Sequence, residues 1–252
     1  MSPDATGPDF IQSTKYQNLR PSPEKEGEPF PIYISEFEDE SALIPLPAPA
    51  ELEHKQLDFL QLITDRRSLR RYDMEASLTL EELSYLLWCT QGVKFVSEHK
   101  FLTVRTVPSA GSRHPFETYL AISRVEGLEP GLYRFIAQKH ALVLVRPGQM
   151  VMNEVSEAGL KQAHMRNAAV DFLWVAHIYR TSWRYSARAY RYIYLDAGHV
   201  CQNLYLAAET IGYGVCAIAA YDDDQMDALL GLDGTNAFCA YIATVGKRLP
   251  EG

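Results

Sequence analysis

The stretch that decides the fold is residues 118–146, TYLAISRVEGLEPGLYRFIAQKHALVLVR. Three β-prone runs, 118–123, 132–136 and 142–146, are separated by turn-forming residues, which is the pattern of an antiparallel meander. Further along, residues 170–178 (VDFLWVAHI) are almost continuously apolar, as in a strand that is buried on both faces. These runs predict a central, mostly antiparallel sheet.

Helical patterns surround these strands. Thr79-Leu-Glu-Glu82 is a capping box, and the apolar residues after it end at Gly92. Residues 190–211 place apolar side chains three or four positions apart, which predicts a long helix buried on most sides and stopped by Gly212. Because the strands do not alternate with helices in βαβ order, the predicted fold class is α+β. Weaker patterns predict helices over 52–63 and 222–230 and strands over 215–220 and 238–245.

The negative charge is confined to one end of the chain. The 252 residues carry a net charge of −8, and residues 1–60, with four basic and twelve acidic side chains, account for all of it. Residues 61–252 hold twenty of each sign. A nucleic-acid binder usually has a basic excess, and so does a segment that binds anionic lipid. Both classes of partner are therefore disfavoured.

The chain shows no targeting or membrane-spanning pattern. No apolar run approaches the roughly 20 residues of a membrane span, and MSPDATGPDF has neither the basic nor the apolar part of a signal peptide. The cysteines, Cys89, Cys201, Cys216 and Cys239, are widely spaced in apolar contexts. We expect buried free thiols in a cytoplasmic protein.

The first fifty residues differ in composition from the rest. Nine of the fourteen prolines lie in the first sixty residues, which disfavours regular helix and central strand there. Apolar side chains such as Phe30, those of residues 32–34, and Phe37 are unusual for a solvated tail. The prediction is an extended, Pro-rich acidic arm over 1–50, lying on its own body or on a partner subunit, followed by one domain over 51–252.

Two basic clusters suggest an anion site. Asp65–Tyr72 (DRRSLRRY) contains four arginines and a serine, and Gly246-Lys-Arg248 follows the last predicted strand. Guanidinium groups and a hydroxyl suit a phosphate dianion. The alternatives are a solvated basic patch for the first cluster and a frayed terminus for the second.

Two further segments could contact a substrate or a flat ligand. In Pro108–Pro115 (PSAGSRHP), small residues allow close approach of the backbone, and the hydroxyls and Arg113 could bind a polar edge; the alternative is a surface turn. Residues 180–188 (RTSWRYSAR) precede polar residues on the long helix, namely Asp196, His199, Gln202 and Asn203. These groups form either a satisfied core network or, for Arg184 and Tyr185, part of a substrate site.

Other signatures are missing from the sequence. It contains no GxGxxG after a strand, no GxxxxGK[ST], no GxSxG and no HExxH. Rossmann or P-loop phosphate binding, a nucleophile elbow and metal-dependent hydrolysis are therefore not indicated, and no metal site is predicted. A hydrolytic triad remains open from the residue inventory alone.

Six motifs, in order, resemble the flavin-dependent nitroreductase superfamily over residues 55–248, and more narrowly its SagB/ThcOx-type dehydrogenase branch. They are RRSLRRY (66–72), LSYLLWCTQG (83–92), RTVPSAGSRHPFETY (105–119), EGLEPGLYRF (126–135), YLDAGHVCQNLYLAAE (194–209) and YIATVGKR (241–248). The resemblance implies a nitroreductase-like α+β fold, FMN as cofactor and a homodimer with both active sites at its interface.

The resemblance also implies roles for particular residues. The phosphate side of FMN would be held by Arg66, Arg67, Ser68, Lys247 and Arg248. The isoalloxazine would be covered by a loop of the other subunit, comprising Pro108, Ser109, Ala110, Gly111, Ser112 and Arg113. Arg70 would lie near flavin N1 and O2, and Ala219 and Ala220 near N5, so that Arg70, Ala219 and Tyr185 are the expected catalytic residues.

The implied reaction is a ping-pong cycle in which NAD(P)H delivers a hydride through FMN to a nitroaromatic, a quinone or another organic acceptor. One alternative is a dehydrogenase that oxidises azoline rings in a modified peptide. Members of that branch use a Lys-Tyr pair where this chain reads Arg184-Tyr185, and arginine is not a base at neutral pH. A second alternative is a protein that binds flavin without turnover.

Overall fold

A seven-stranded antiparallel sheet forms the centre of the computed structural model, which describes residues 5–31, 37, 39–51, 58–97 and 102–249. Its strand order is β1-β6-β5-β4-β7-β9-β8, and β2 and β3 form a separate pair. The strands are β1 Leu43–Pro45, β2 Val93–Val96, β3 Thr103–Arg105, β4 Phe116–Ile122, β5 Gly131–Ile136, β6 Ala141–Pro147, β7 Val170–His177, β8 Tyr213–Ile218 and β9 Ala237–Lys247.

Helices cover both faces of this sheet. Those in the described ranges are α1 Thr6–Ser13, α2 Pro23–Glu26, α3 Phe59–Asp65, α4 Leu80–Gln91, α5 Val151–Ala158, α6 Ala163–Asn167, α7 Ile178–Tyr185, α8 Ala189–Thr210 and α9 Asp223–Leu230. Among these, no helix has the length and apolar character needed to cross a membrane.

The central strand β7 contributes to two cores. Phe172 and Trp174 belong to the core that contains α4 and α8, whereas Leu173 and Val175 belong to the core with α5, α6 and α9. Because successive side chains of a strand point to opposite faces, burial on both sides requires the nearly continuous apolar sequence of this strand.

The predicted α+β class with a mostly antiparallel sheet is confirmed. The capping box is formed, with Thr79 Oγ1 accepting from the Glu82 amide at 3.2 Å and a Glu82 carboxylate oxygen accepting from the Thr79 amide at 2.8 Å. Of the helix predicted over 52–63, residues 52–57 lie outside the described residues and the remainder belongs to α3. The four cysteines are free thiols, with Cys89 partly exposed.

One detail of the prediction is wrong. Prolines do not keep regular helix out of the first fifty residues, because α1 is helical and α2 begins at Pro23, at a first-turn position where no amide donor is required. The long helix α8 is buried over most of its surface, as predicted, although Tyr194, Leu195 and Gln202 are exposed on one face. Residues 32–34 of the predicted arm lie outside the described part of the chain.

The described N-terminal residues pack against α7 and α8. Arg188 Nη1 donates to the Thr14 carbonyl at 2.8 Å, and Arg191 Nε donates to Thr14 Oγ1 at 2.6 Å. Trp183 Nε1 donates to the Glu28 carbonyl at 3.0 Å. These bonds fix residues 14–28 (hereafter the leader) on the surface of the domain.

A buried carboxyl lies in the middle of the sheet. Asp171 on β7 is fully buried, and neither of its carboxyl oxygens has a hydrogen-bond partner among the described residues. Burial raises the pKa of Asp171 well above its ordinary value, so the group folds as the neutral acid. Folding therefore binds a proton once the pH exceeds the pKa of the unfolded chain.

We predict that Asp171→Asn removes a pH-dependent loss of stability. Below the unfolded pKa of about 3.9, the acid is protonated in both states. As pH rises towards the raised folded pKa, the wild type should lose up to about 1.4 kcal/mol per pH unit from this group. Urea unfolding at pH 5 to 8 should show that the free energy of unfolding falls more steeply with rising pH in the wild type than in the variant. A difference between the two that does not change with pH would come from the replacement of the carboxyl by an amide. Parallel curves would show that Asp171 is ionised in the folded chain.

Candidate functional site

Residues 66–72 lie along the outer edge of the sheet, beside β8. The Leu69 amide donates to the Val215 carbonyl at 2.9 Å. Two glycines paired across β8 and β9, Gly214 and Gly246, make this approach possible. A Cβ on either would lie 2.4 Å from the Leu69 or Tyr72 side chain, respectively, so a larger residue would push the segment off the sheet.

Tyr205 of α8 connects this segment to β8. Its hydroxyl is 2.8 Å from Ser68 Oγ and accepts a hydrogen bond from the Ala217 amide at 2.8 Å. The Arg66 guanidinium stacks over the Tyr205 ring, 5.4 Å from its centroid. Two residues predicted to hold a phosphate, Arg66 and Ser68, are thus positioned by one aromatic side chain.

Three arginines converge next to this segment. Arg67, Arg71 and Arg248 line a cavity of about 260 Å³, together with Leu69 and Leu249. Arg248 is fixed by an ion pair with the buried carboxylate of Glu209 and by a bond to the Tyr213 carbonyl. Within the described part of the chain, neither Arg67 nor Arg71 has an ion-pair partner. The cavity therefore offers cationic donors whose charge is not neutralised.

Lys247 points away from this set, with its ammonium 5.8 Å from the centroid of the Tyr213 ring. The arrangement includes Arg71, which was not among the predicted site residues. It lies in the same DRRSLRRY motif, so the basic cluster itself was the signal that could have identified it.

Arg70 lies on another side of the segment, against the sheet. Its charge reaches the thiol of Cys216 on β8 and the imidazole of His164 on α6. Burial raises the pKa of Cys216 although Arg70 opposes this, and burial together with Arg70 lowers the pKa of His164. Both neighbours are therefore neutral at pH 7, and Arg70 is the local charge.

Ala219 and Ala220 follow directly on β8 and are exposed. The Ala220 carbonyl accepts a hydrogen bond from Gln162 Nε2 at 2.7 Å, which fixes the turn after the strand. The segment thus lies exposed directly after the strand that carries Cys216, the residue that Arg70 approaches.

The loop 108–113 is held by a different part of α8. Asp196 accepts from Ser109 Oγ at 2.6 Å and from the Ala110 amide at 3.2 Å. Burial raises the pKa of Asp196, and these two hydrogen bonds oppose the rise. Asp196 thus has the partners expected of a polar group on this helix, as does Asn203, whose amide donates to the Cys89 carbonyl at 2.9 Å.

Pro108 and Gly111 are exposed at this loop, whereas Arg113 is buried. The Arg113 Nε donates to the Gly111 carbonyl at 2.9 Å, and its guanidinium stacks on Phe30 at 4.7 Å. Within this chain, Arg113 therefore supports the loop from its buried side. The sequence predicted that Arg113 contacts a ligand instead.

Tyr185, at the end of α7, touches the same loop. A Cβ on Gly111, whose φ is +57°, would lie 2.4 Å from the Tyr185 hydroxyl. The helix that carries Tyr185 is anchored by a buried ion pair in which Arg180 Nη2 donates to Glu117 at 2.7 Å. Arg184 is partly exposed, with its Nε 3.8 Å from Glu24 of the leader.

The two halves of the predicted site lie apart in one chain. Asp196, which holds the loop, and Tyr205, which positions the arginine segment, are nine residues apart on α8. At about 1.5 Å and 100° per residue, they are about 13 Å apart along the helix axis and about 180° apart around it, so they lie on opposite faces of the helix. A single copy therefore does not bring the loop and the arginines onto one ligand.

Comparison with known proteins identifies the family of this fold and site. Residues 63–247 match the model of the Nitroreductase family, and the chain belongs to that family. A protein of Methanocaldococcus jannaschii named as a nitroreductase, MJ1384, is 34% identical over 195 residues, which are 77% of this chain and 93% of that protein. The resemblance of the six motifs to the nitroreductase superfamily is confirmed.

A further curated protein and a solved structure also match this chain. The trifolitoxin-processing protein TfxB of Rhizobium leguminosarum is 27% identical over 133 residues, 51% of this chain and 36% of that protein. The structure of the E. coli microcin synthetase McbBCD complex matches the fold with a TM-score of 0.61 at 17% identity, over 98% of this chain and 96% of that chain.

A structure named as a nitroreductase of Anabaena variabilis matches with a TM-score of 0.64 at 29% identity. The match covers 75% of this chain, which spans only 38% of the Anabaena chain.

We predict that Asp196→Ala loosens the loop and destabilises the fold. It removes the acceptor for Ser109 and Ala110, which should lower the free energy of unfolding by about 1–3 kcal/mol. The matched control, Gln202→Ala, changes an exposed position of the same helix and should stay within about 0.5 kcal/mol of wild type. Urea unfolding measures both. Equal stabilities for the two variants would contradict this role of Asp196.

Proposed function

We propose that this protein is an FMN-dependent oxidoreductase that takes reducing equivalents from NAD(P)H and passes them to a nitroaromatic or quinone acceptor. The observation that supports the proposal is an arginine cavity and an exposed small-residue loop, held on opposite faces of α8 in a chain of the Nitroreductase family.

The arginine cavity suits the phosphate end of FMN. Arg67 and Arg71 offer guanidinium donors without ion-pair partners among the described residues, and Arg248 is held rigidly at the rim. A dianion there would gain charge-assisted hydrogen bonds from planar, pre-oriented groups. The volume of about 260 Å³ suits a phosphate group and part of its chain, with the rest of the cofactor lying along β8.

Arg70 would provide the charge at the other end of the site. FMN, when bound, supplies the two-electron redox chemistry. A fixed cation stabilises negative charge that develops on the cofactor edge, and it needs no rearrangement during the reaction. Arg70 suits this task because its neighbours Cys216 and His164 are neutral and leave its charge uncompensated. The backbone of Ala219 and Ala220 would border the reactive edge.

The loop 108–112 would reach this site from a second copy of the chain. Exposed apolar side chains on the surface of α8 and α3 support such an assembly: Leu195 is 62% exposed, and Phe59 and Leu60 are also exposed. A homodimer that buries these residues would place the loop of one copy over the arginine segment of the other, which gives two equivalent sites.

Oxidation of azoline rings in a modified peptide is the second candidate. It is favoured by the similarity to TfxB and by the contact of Tyr185 with the loop that would cover the cofactor. Arg184 disfavours this candidate, because a guanidinium group keeps its proton and so cannot act as the base in the oxidation of an azoline ring.

We predict that the phosphate contributes binding energy through Arg67 and Arg71. In equilibrium titrations the wild type should bind FMN more tightly than riboflavin. Arg67→Ala with Arg71→Ala should weaken FMN binding by about 3 kcal/mol or more, at roughly 1.5–3 kcal/mol per charge-assisted contact, and leave riboflavin binding unchanged. Arg166→Ala, an exposed arginine elsewhere, is the control. Equal affinities for FMN and riboflavin in the wild type would refute the phosphate site.

Anaerobic mixing of the flavin-loaded protein with NADH and with NADPH tests turnover. Bleaching of the oxidised-flavin absorption, followed by its return on adding a nitroaromatic, supports the proposed cycle. Retained flavin that neither nucleotide bleaches would favour a flavin-binding protein without turnover, and bleaching only by an azoline peptide would favour the second candidate.

We predict a homodimer that depends on the exposed face of α8. Light scattering should give twice the chain mass of 28.5 kDa. Leu195→Glu should give monomers and lose retained FMN, because a charge would be buried without a partner. Leu160→Glu, at a similarly exposed leucine outside α8, should remain dimeric. A wild-type monomer that retains flavin would exclude the two-chain site.

A further inference from the structure

A second cavity lies between the leader and the end of α7, and no part of the proposed flavin site uses it. It has a volume of about 270 Å³. Its lining combines aromatic, apolar and basic side chains: Tyr16, Leu19, Pro21, Arg20, Lys25, Arg184, Tyr185 and the two serines Ser22 and Ser186. No carboxylate is among the described lining residues, although Glu24 lies beside the cavity against Arg184.

The hydroxyl of Ser22 points to a missing ligand. Ser22 is only 5% exposed, and its Oγ has no hydrogen-bond partner among the described residues. A buried hydroxyl without a partner costs free energy, and such groups in native proteins usually bind a ligand or an ordered water. Ser22 lines the cavity, so a ligand there would supply the missing partner.

The positive charge of the cavity indicates the sign of that ligand. Arg20 and Lys25 form no ion pair with any residue that the structure describes, and Arg184 is only 3.8 Å from Glu24. Three cations against one neighbouring carboxylate leave the cavity with a net positive charge. An anion would be stabilised by charge-assisted hydrogen bonds from these groups.

Contacts within the chain hold part of the cavity wall in place. The Tyr16 hydroxyl is 2.6 Å from that of Tyr192, and the Tyr16 ring stacks on the Arg188 guanidinium at 4.4 Å. Ser186, at the junction after α7, has φ +50°, a conformation that is strained for a residue with a side chain. Strain of this kind is common where a chain is shaped around a ligand.

The cavity adjoins the loop that would cover the flavin. Tyr185 belongs to its lining, and the hydroxyl of the same side chain contacts Gly111. A molecule anchored by an anionic group among Arg20, Lys25 and Ser22 would therefore extend past Tyr185 towards the proposed redox site. The aromatic and apolar walls favour an organic acid over a bare inorganic anion.

We propose that this cavity binds the carboxylate of the acceptor, so that the preferred acceptors are carboxylic acids; this inference rests on the proposed function. The leader, residues 14–28, then forms part of the active site. Arg20 and Lys25 supply charge, Ser22 donates a hydrogen bond to the carboxylate, and Tyr16 and Tyr185 pack on the attached ring or chain.

The test compares 4-nitrobenzoate with the neutral isostere 4-nitrobenzamide on the FMN-loaded protein. Calorimetry should show the acid binding about tenfold more tightly, the ratio that one net charge-assisted contact gives. In steady state the acid should have the lower KM at similar kcat. Its two-electron reduction to the nitroso compound consumes one NAD(P)H and one proton and releases water.

Variants assign the preference to the cavity. Arg20→Gln with Lys25→Gln should abolish the preference for the acid and leave the affinity for the amide unchanged, and Ser22→Ala should weaken binding of the acid alone. Lys94→Gln removes an exposed cation outside the leader and should keep the preference.

Each result is decisive. Equal binding of acid and amide to the wild type overturns the inference, as does a preference that survives Arg20→Gln with Lys25→Gln. Strong competition by inorganic phosphate without a preference for the acid would also overturn it. If the acid binds with the expected preference but no nitro compound is reduced, the carboxylate site stands and the proposed function fails. If both compounds are reduced equally well, the proposed function stands and the carboxylate site fails.

Discussion

The close approach of residues 66–72 to the sheet is the constraint on which the candidate site depends. It exists because Gly214 and Gly246 face each other across β8 and β9 and leave room for Leu69 and Tyr72. The Tyr72 hydroxyl then donates to the Leu69 carbonyl within the segment or bonds to Thr244 Oγ1, 2.6 Å away on β9, which holds this end of the segment on the sheet. With Leu69 and Tyr72 fixed on the sheet, the intervening arginines diverge, Arg70 towards Cys216 and Arg71 into the cavity with Arg67.

The long helix α8 then holds two different parts of the candidate site, one along each half of its length. One end holds the loop through Asp196, and the other positions Arg66 and Ser68 through Tyr205. These residues lie on opposite faces of the helix and about 13 Å apart along its axis. Within one chain, the helix therefore separates the two surfaces that a flat ligand would have to contact together. The proposed dimer resolves this separation without any change within the chain. The leader adds a third surface to the same region, through its hydrogen bonds to α7 and α8.

Much of this could be predicted from local sequence. The capping box at Thr79, the meander over 118–146 and the double-sided strand β7 follow from patterns that one segment contains in full. The arginine motif was predicted as an anion site, and the cavity includes two of its four arginines. The pairing of Arg248 with Glu209 was not predictable, because its partner lies 39 residues away and only the folded sheet end brings them together. The burial of Arg113 under Phe30 likewise depends on where the leader packs. The helices α1 and α2 were not predictable from the number of prolines, because Pro8 and Pro23 lie in first turns, where a helix tolerates proline.

The claim that each site is assembled from two chains is tested most directly by complementation. One variant carries Arg67→Ala and Arg71→Ala, and the other carries Gly111→Val, which places a side chain against the Tyr185 hydroxyl at a positive φ. Each variant alone should retain little FMN. In a mixed dimer, one site combines both defects and the other combines intact arginines with an intact loop, so we expect about one FMN per mixed dimer, measured after refolding the two chains together. Mixed dimers that retain no more flavin than either variant alone would show that the loop and the arginines act within one chain, and would contradict the two-chain site.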